Sequence, residues 1–334
     1  MVLSRVLGAI GRVMIAAGVI LLLFVAYQLW GTGVRTDQAQ NRLGAQFDQQ
    51  VAQATAGAAT PTTAADGTTA PLSLAELAKD PQVQAYAKDK RYYAGEPIGK
   101  ITIPKIGADF WMVQGVDLPL LSEGPGHFPG TPMPGQPGNA ALAGHRTTFK
   151  APFNRVDELE PGDTVTVETL QGRFTYEVLP QKPQYAGGPA LGHYIIDPSQ
   201  TEILDDKGDN RLTLMACHPK YSAAERIVVE AKLVSNPAEA TPKGDADPGS
   251  SATALANLGS DEATADLISG GDANARGPAI LWGLAAAAVV LAAWLLGRWK
   301  RSLRWPAYLV AVVPFLVLLF FCFENVTKLL PSAY

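Results

Sequence analysis

Residues 211–230 read RLTLMACHPKYSAAERIVVE and contain two runs that are rich in apolar and β-branched residues. The first run ends at Cys217, and the second begins at Arg226. Pro219 follows closely after the first run, and because proline has no backbone N–H to give to a sheet, it ends the pairing there. The stretch predicts two neighbouring strands with a cysteine at the end of one and an arginine at the start of the other.

Further strand-like runs surround this stretch within a unit that we place at residues 92–236. Two of them, 163–170 and 173–186, are separated by Gln-Gly, which favours a hairpin. Short helical turns fit between the strands. Six to eight short strands predict an all-β domain, either a closed or nearly closed antiparallel barrel or, as the competing architecture, a two-sheet sandwich. The remaining strand-like runs are 100–107, 109–117, 139–147, 211–217 and 226–234.

Three apolar blocks without any charged residue lie outside this unit, at 13–30, 278–297 and 305–323. Each is close to the ~20 residues that a helix needs to cross a bilayer core. Tryptophans stand near the block ends, where aromatic rings favour the membrane interface. Buried core helices are the alternative, but soluble helices of this length rarely lack charges. The blocks therefore predict three transmembrane helices and a lipid bilayer as a partner.

The basic residues predict the orientation of these helices. Arg5 and Arg12 precede the first block, and the loop 298–304 between the second and third is also basic, so both belong in the cytoplasm. The prediction is a multi-pass cell-membrane protein with an uncleaved N-terminal anchor and its folded domain on the extracellular face. Its other segments are a cytoplasmic N-terminus (1–12), an extracellular stalk and linker (31–91), a flexible linker (237–277) and an extracellular tail (324–334).

Charge and cysteine content exclude several classes of function. The formal net charge is −4, and no basic stripe or phosphate-binding glycine motif is present, so nucleic acid is not expected as a partner. The chain has two cysteines, and Cys322 lies in the third apolar block. Cys217 is thus alone in the outer segment and has no partner there for a disulfide. Such a cysteine is either buried and inert or kept as a thiol for chemistry, and no metal-ligand spacing accompanies it.

A nucleophilic cysteine needs a base or a cation nearby to hold the thiolate. His218 is adjacent in sequence, but neighbouring strand residues point to opposite faces. His145 ends a different apolar strand, and Gly144 before it permits close approach of the backbone. Arg226 faces the cysteine end of the neighbouring strand, where a guanidinium can stabilise an oxyanion, although a surface ion pair is an equal alternative. His127 and His193 lie in glycine-flanked loops that spacing does not rank.

The motif LAGHR (142–146), followed by LTLMACHPKYSAAER (212–226), resembles the sortases, the cysteine transpeptidases of Gram-positive cell surfaces, and most of all their class E members. The likeness runs from ITIPKIG at 101–107 to RIVVEAKL at 226–233. It implies an eight-stranded sortase-type β-barrel with short helices. It also implies that Cys217 is the nucleophile, His145 the proton-transferring partner and Arg226 the group that stabilises substrate and oxyanion.

The resemblance further implies cleavage of an LPXTG-like or LAXTG-like sorting signal between Thr and Gly through a Cys217 thioester. The acyl group then passes to an amine of peptidoglycan precursor or of a pilin, and no cofactor or metal is expected. The family pattern has two threonines where this chain has Met215 and Ala216, and often a tyrosine in place of Phe128. These three residues, with Ala143 and His127, are the candidates for the substrate groove.

Two rival functions remain open, and the first of them uses the same cysteine, histidine and arginine. A membrane-anchored cysteine peptidase would let water resolve the thioester, whereas a transpeptidase makes an amine-dependent product. A non-catalytic surface module would bind a partner through the barrel, and its thiol would be inert towards electrophiles and sorting peptides.

Overall fold

The computed structural model describes residues 2–56, 74–183, 188–220, 222–241, 275–300, 302 and 304–329. These residues form two compact units: the N-terminal residues up to Thr32 together with the C-terminal helices, and the segment that begins at Gly33 and contains all the described strands. Most of the predicted linker 237–277 lies outside the described residues, as do the last five residues of the predicted tail.

Seven α-helices and nine strands are described. The helices are α1 (Val2–Ala26), α2 (Thr32–Thr55), α3 (Leu74–Leu77), α4 (Pro81–Asp89), α5 (Leu118–Leu121), α6 (Arg276–Trp299) and α7 (Arg304–Leu329), with a π-helical segment, Tyr27–Gly31, between α1 and α2. The strands are β1 (Pro97–Ile103), β2 (Ala108–Gln114), β3 (Gly126–His127), β4 (Asn139–Ala143), β5 (Thr164–Thr169), β6 (Gly172–Val178), β7 (Tyr194–Ile196), β8 (Arg211–His218) and β9 (Glu225–Leu233).

The strands form one closed sheet, so the predicted eight-stranded barrel is confirmed. Their order is β6-β5-β1-β2-β3-β4-β8-β9-β7, and β6 also pairs with the C-terminal half of β9, which closes eight strands into a ring. The ninth strand, β7, lies beside the N-terminal half of β9 and outside the ring. Full closure leaves the eight ring strands without long free edges.

The interior of the barrel is filled by alternate residues of these strands. Leu212, Leu214 and Ala216 of β8 belong to the main apolar cluster together with Ile227 and Val229 of β9. Since successive strand residues point to opposite faces, the residues between them face outwards. The alternation thus places Cys217 on the outer face of the barrel wall.

The barrel differs from the predicted antiparallel one in two pairings, because β2 pairs parallel with β3 and β4 pairs parallel with β8. A parallel pair needs a long crossover connection. Here the chain between β4 and β8 supplies it, since it passes through β5, β6 and β7 before it returns. The sequence prediction also missed β3 and β7, which have two and three residues and are too short to show alternation.

A second apolar cluster covers part of the outer face, on the same side as Cys217. Its members are Val116, Leu121, Phe128, Ala141, Ala143, Ile196, Ile203, Met215 and Val228, and we call it the outer cluster. A buried polar network closes one side of it. Asn139 Nδ2 donates to the backbone oxygens of Ile203 and Asp205 at 2.7 and 3.1 Å, and the Thr213 hydroxyl donates to Asn139 Oδ1 at 2.7 Å. These bonds fix the loop before β8 over the cluster.

Helix α2, which lies in the segment predicted as a stalk, is packed against the barrel. Its residues Ala39, Leu43 and Phe47 recur at intervals of four, and all three are buried. This spacing gives one apolar face along the helix. Phe47 packs on Trp111 of β2, with a distance of 5.1 Å between the ring centroids, and the side chain of Gln40 bonds to both the backbone N–H and the backbone oxygen of Trp111. Residues 34–55 are therefore part of the folded domain.

Among its described residues, the other unit contains two helices, not three, that are long and apolar enough to cross a membrane: Arg276–Trp299 and Trp305–Thr327. The prediction of a third at 13–30 is corrected, because the apolar helix there is the shorter segment Ile10–Ala26, which is followed by the π-helical segment. At 1.5 Å per residue it is only about 25 Å long, against a bilayer core of about 30 Å. The all-β class also fails for the whole chain, since helices account for about 47% of the described residues.

Candidate active site

Cys217 and Arg226 lie directly opposite each other in the antiparallel pair of β8 and β9. On the other side of β8, Ala143 of β4 pairs in parallel with Met215, and Gly144 N–H donates to Met215 O at 3.0 Å. His145 follows two residues after Ala143, and Cys217 follows two residues after Met215. The register therefore pairs Cys217 with Arg226 directly and places the end of β4, from which His145 continues, next to the strand that carries Cys217.

The turn that carries His145 is tightly packed. A side chain at Gly144 would place its Cβ 2.6 Å from the ring of Phe153, so only glycine fits this position. The backbone N–H of Phe153 in turn donates to His145 O at 3.2 Å. The His145 side chain is only 6% exposed, and its ring lies 4.9 Å from that of Phe149. Packing and backbone hydrogen bonds therefore hold His145 at the end of β4.

Arg226 is a buried cation, with 3% of its surface exposed. Its Nη1 donates to Ala223 O at 2.8 Å and to Glu225 O at 2.9 Å. These bonds fold the side chain back over the start of β9, next to the end of β8. Glu230, one of the two surface partners considered from the sequence, pairs with Arg211 Nη1 at 3.0 Å.

Sequence reasoning missed Arg146, which follows His145 directly and is 3% exposed. Its Nη1 donates to Cys217 O at 3.2 Å and lies 3.1 Å from His218 Nδ1. Its Nη2 forms an ion pair with Asp157 Oδ1 at 2.9 Å. Arg146 and Cys217 are 71 positions apart in the chain, so no motif spacing in the sequence indicates this contact.

The two remaining histidines of this region lie around Arg146. His218 contacts Arg146 through Nδ1. His193 is half-buried, and burial lowers the pKa of its imidazole below the ordinary value, with a smaller lowering from the positive charge of Arg146 and an opposing effect from Asp157. Among the residues that the structure describes, no three or more His, Cys, Asp or Glu side chains converge as metal ligands do.

The predicted groove residues fall into three environments. Ala143, Met215 and Phe128 belong to the outer cluster, on the face of Cys217. Ala216 instead faces the barrel interior. His127 is 1% exposed, and its ring bonds to Gln114, Thr131 and the backbone oxygen of Pro132, at distances of 2.8–3.0 Å. Their contact with substrate stays a prediction.

This arrangement has groups that acyl transfer through a thiol can use: a thiol at a strand end, a cation opposite it and a histidine two residues after the last paired residue of the adjacent strand. A family model described as the sortase domain matches residues 101–234, which include all three. Sortase D of Bacillus subtilis is 32% identical over 156 residues, which cover 45% of this chain and 71% of that protein. The chain belongs to the sortase family.

Other sortases match along more of the chain. Sortase SrtE1 of Streptomyces coelicolor is 29% identical over 253 residues, which cover 71% of this chain and 60% of SrtE1. Sortase SrtE2 of the same organism is 25% identical over 241 residues, which cover 69% of this chain and 83% of SrtE2. The resemblance to class E sortases is thereby confirmed.

Solved structures of sortases also align with part of the chain. Sortase E from Streptomyces avermitilis aligns at 29% identity, over 43% of this chain and 91% of that one, with a TM-score of 0.36. A Clostridium perfringens sortase D5 transpeptidase aligns at 24% identity, over 59% and 99%, with a TM-score of 0.42. Because these scores are low, the fold assignment rests on the strand pairing described above.

Proposed function

We propose that this sortase is a membrane-anchored cysteine transpeptidase that joins surface proteins to an amine of the cell wall or of another surface protein. The observation that carries the proposal is the strand register, which pairs Cys217 with Arg226 and pairs Ala143, two residues before His145, with Met215, two residues before Cys217. A thiol between a histidine and an arginine has both a proton-transfer partner and a cation for the oxyanion.

In the proposed first half-reaction, the Cys217 thiol gives its proton to His145, and Sγ attacks the threonine carbonyl carbon of an LPXTG-like or LAXTG-like signal. Negative charge develops on the carbonyl oxygen, where the guanidinium of Arg226 stabilises it. The Thr–Gly bond then breaks, and the leaving amine takes a proton from His145. A thioester joins the substrate to Cys217.

In the second half-reaction, an acceptor amine attacks the thioester carbon and gives its proton to His145. The C–S bond breaks, an amide forms, and Cys217 returns to its starting state. The energy of the original peptide bond is thus carried through the thioester into the new amide. No cofactor takes part in this proposal.

The outer cluster supports a signal with a small or apolar second residue. Ala143 and Met215 lie two residues before His145 and Cys217 on their strands, and Phe128 packs in the same cluster. A peptide lying along this face towards Cys217 would meet an apolar surface in which Met215 replaces one of the family's two threonines. The resemblance to class E sortases, and not this surface, favours LAXTG over LPXTG as the signal.

The two apolar helices α6 and α7 support a location in the cell membrane, with the barrel on the extracellular face. A membrane-anchored enzyme and a membrane-held substrate meet at a raised effective concentration. Pilin or peptidoglycan-precursor amines, which are available at that surface, are the proposed acceptors.

The test uses the full-length chain purified in detergent, since α2 belongs to the folded domain. Wild type and Cys217→Ala are incubated with an LAXTG peptide, with and without an amine such as triglycine, and products are followed by intact mass. We expect a thioester adduct on the wild type alone and an amide product when the amine is added. His145→Ala and Arg226→Ala should each lower turnover at least 100-fold, in the range of general acid–base and oxyanion effects.

Other outcomes assign other functions. An adduct that is only hydrolysed, whatever amine is present, would identify a cysteine peptidase. Absence of an adduct with LAXTG and with LPXTG, together with a Cys217 that does not react with iodoacetamide, would identify a binding module and contradict the proposal.

A further inference from the structure

Arg146 is a cation buried beside the proposed nucleophile, and the proposed reaction gives it no role. Burying a charge is costly unless the group is paired and hydrogen-bonded. Arg146 meets this requirement fully: Nη2 pairs with Asp157 at 2.9 Å, Nη1 contacts Cys217 O and His218 Nδ1, and Nε lies 3.5 Å from Asn154 O. The site is therefore built around this side chain.

The contact with Cys217 O takes the place of a missing backbone hydrogen bond. The ladder between β4 and β8 ends with the bond from Gly144 N–H to Met215 O. In a continued parallel ladder the next carbonyl on that side, Cys217 O, would accept from the backbone N–H of Arg146. The chain turns away at His145, and the guanidinium of Arg146 reaches Cys217 O instead. The backbone of Cys217 thus keeps a donor on the side that faces β4.

The backbone of Arg146 is fixed as well. Asn154 Nδ2 donates to Arg146 O at 2.7 Å, and Phe153 N–H donates to His145 O. One residue therefore connects the turn that carries His145 to the strand end that carries Cys217. A shift of the Arg146 guanidinium would change the spacing between these two elements.

Asp157 orients the guanidinium from the opposite side. Partial burial acts to raise the pKa of the Asp157 carboxyl, but hydrogen bonds from its own backbone N–H and from Arg146 outweigh burial and leave the pKa below the ordinary value. The carboxylate is thus charged at neutral pH. Lys220 Nζ lies 3.8 Å from the same oxygen, a longer and weaker contact than that of Arg146.

We propose that Arg146 is a positioning residue that sets the geometry between Cys217 and His145, and that Asp157 orients it. The inference rests on the proposed function, because that function is what assigns catalytic roles to Cys217 and His145. Its chemistry requires the planar, forked guanidinium, since Nη1 and Nη2 serve Cys217 and Asp157 at the same time. Lysine offers a single ammonium centre on a flexible stem and does not reproduce this geometry.

The experiment compares Arg146→Lys, Arg146→Gln and Asp157→Asn with wild type, each as the full-length chain in detergent. Arg155→Gln is the matched control, because Arg155 also forms an ion pair, with Glu158 at 2.6 Å, but its side chain is half exposed. Three quantities are measured: kcat and KM for amine-dependent transfer of an LAXTG peptide, the pH profile of Cys217 alkylation by iodoacetamide, and the thermal midpoint. Peptide mass spectrometry reads alkylation at Cys217 separately from Cys322.

We expect kcat to fall about tenfold in Arg146→Lys and about 100-fold in Arg146→Gln, with KM within twofold of wild type, because misplacement by about 1 Å has effects of this size. Asp157→Asn should lie between wild type and Arg146→Gln. The midpoint of the alkylation profile should move in both Arg146 variants, since the thiol loses its fixed relation to His145. Arg155→Gln should match wild type in kcat and in the alkylation profile.

Two results would overturn the inference. If the Arg146 variants lower only the thermal midpoint, with kcat and the alkylation profile of the folded protein unchanged, Arg146 has a structural role alone. If Arg146→Lys has the same kcat and alkylation profile as wild type, the positive charge is sufficient and the forked geometry of the guanidinium is not required. If instead the proposed function is wrong, the wild type transfers no peptide. The alkylation profiles of wild type and Arg146→Gln then still show whether Arg146 affects the Cys217 thiol.

Discussion

His127 shows how burial changes the chemistry of one side chain near the proposed site. Because the backbone oxygen of Pro132 can only accept, Nε2 carries the ring proton and donates it at 2.9 Å. Nδ1 lies 2.8 Å from Gln114 Oε1, and a neutral ring requires the Gln114 amide to turn its NH₂ group towards Nδ1. Burial lowers the pKa of His127 to about 4, although the hydrogen bond to Pro132 partly opposes this.

This pKa predicts how stability depends on pH. The ordinary pKa of histidine is 6.5, so between pH 6.5 and 4 the unfolded chain binds a proton at this position that the folded chain does not. The free energy of unfolding therefore has its full value with respect to His127 above pH 6.5. It falls by about 3 kcal/mol as the pH falls towards 4. Thermal midpoints of the full chain in detergent, measured from pH 7 to 4, should fall more steeply for wild type than for His127→Gln. Parallel curves would contradict the prediction.

At this scale the sequence was informative about residue identity and silent about contacts. Cys217, His145 and Arg226 stand out because each ends or begins a strand-like run, and the structure pairs Cys217 with Arg226. Arg146 is adjacent to His145 in sequence, yet its contact with Cys217 depends on the register between β4 and β8. His127 could not be distinguished from an exposed loop histidine, because β3, which buries it, has only two residues.

Helix α2 illustrates the same limit for a whole element. Its sequence is polar enough to predict a solvated stalk, and its apolar face consists of few residues. This face packs on Trp111, which belongs to β2 and is distant in the sequence. The strands β4 and β8, by contrast, are recognisable from their apolar runs, but their parallel pairing follows from the closure of the barrel and not from either run.

Phe47 anchors α2 on the barrel, so its truncation tests whether the helix belongs to the domain. The side chain is fully buried, and replacing a buried Phe by Ala costs about 3 kcal/mol or more. For a domain of this size Phe47→Ala should lower the thermal midpoint by roughly 6–12 °C. Gln46→Ala, on the exposed face of the same helix, serves as the matched control and should change it by about 1 °C or less. Equal midpoints for the two variants would show that α2 is not packed.

On the scale of the whole molecule, the helices α6 and α7 pack on each other through small and aromatic residues. Ala279, Ala286 and Ala293 recur every seven residues on the buried side of α6, and Trp282 stacks on Phe321 of α7 at 5.1 Å between ring centroids. Close packing of small residues is how helices associate in lipid, where no hydrophobic effect drives them together. Their large apolar side chains, such as Leu284 and Val310, are exposed, as lipid-facing residues are.

The basic loop between these two helices predicts how the chain is oriented. Arg298, Lys300, Arg301 and Arg304 lie in or next to it, and the positive-inside rule places such a loop in the cytoplasm. The chain that precedes α6, and with it the barrel, is then predicted to lie outside the cell. Single cysteines at Ser302 and Ser199, both exposed positions, report on the two sides when introduced into the Cys217→Ala chain.

With a membrane-impermeant maleimide on intact bacterial cells, Ser199→Cys should be labelled and Ser302→Cys should react only after the membrane is permeabilised. The Cys217→Ala chain without an added cysteine measures the background from Cys322, which lies within α7 and packs against Ala279, so its labelling should be low in both conditions. Labelling of Ser302→Cys in intact cells would place the basic loop outside. The barrel would then be separated from extracellular substrates, and the proposal of a cell-surface transpeptidase would fail together with the topology.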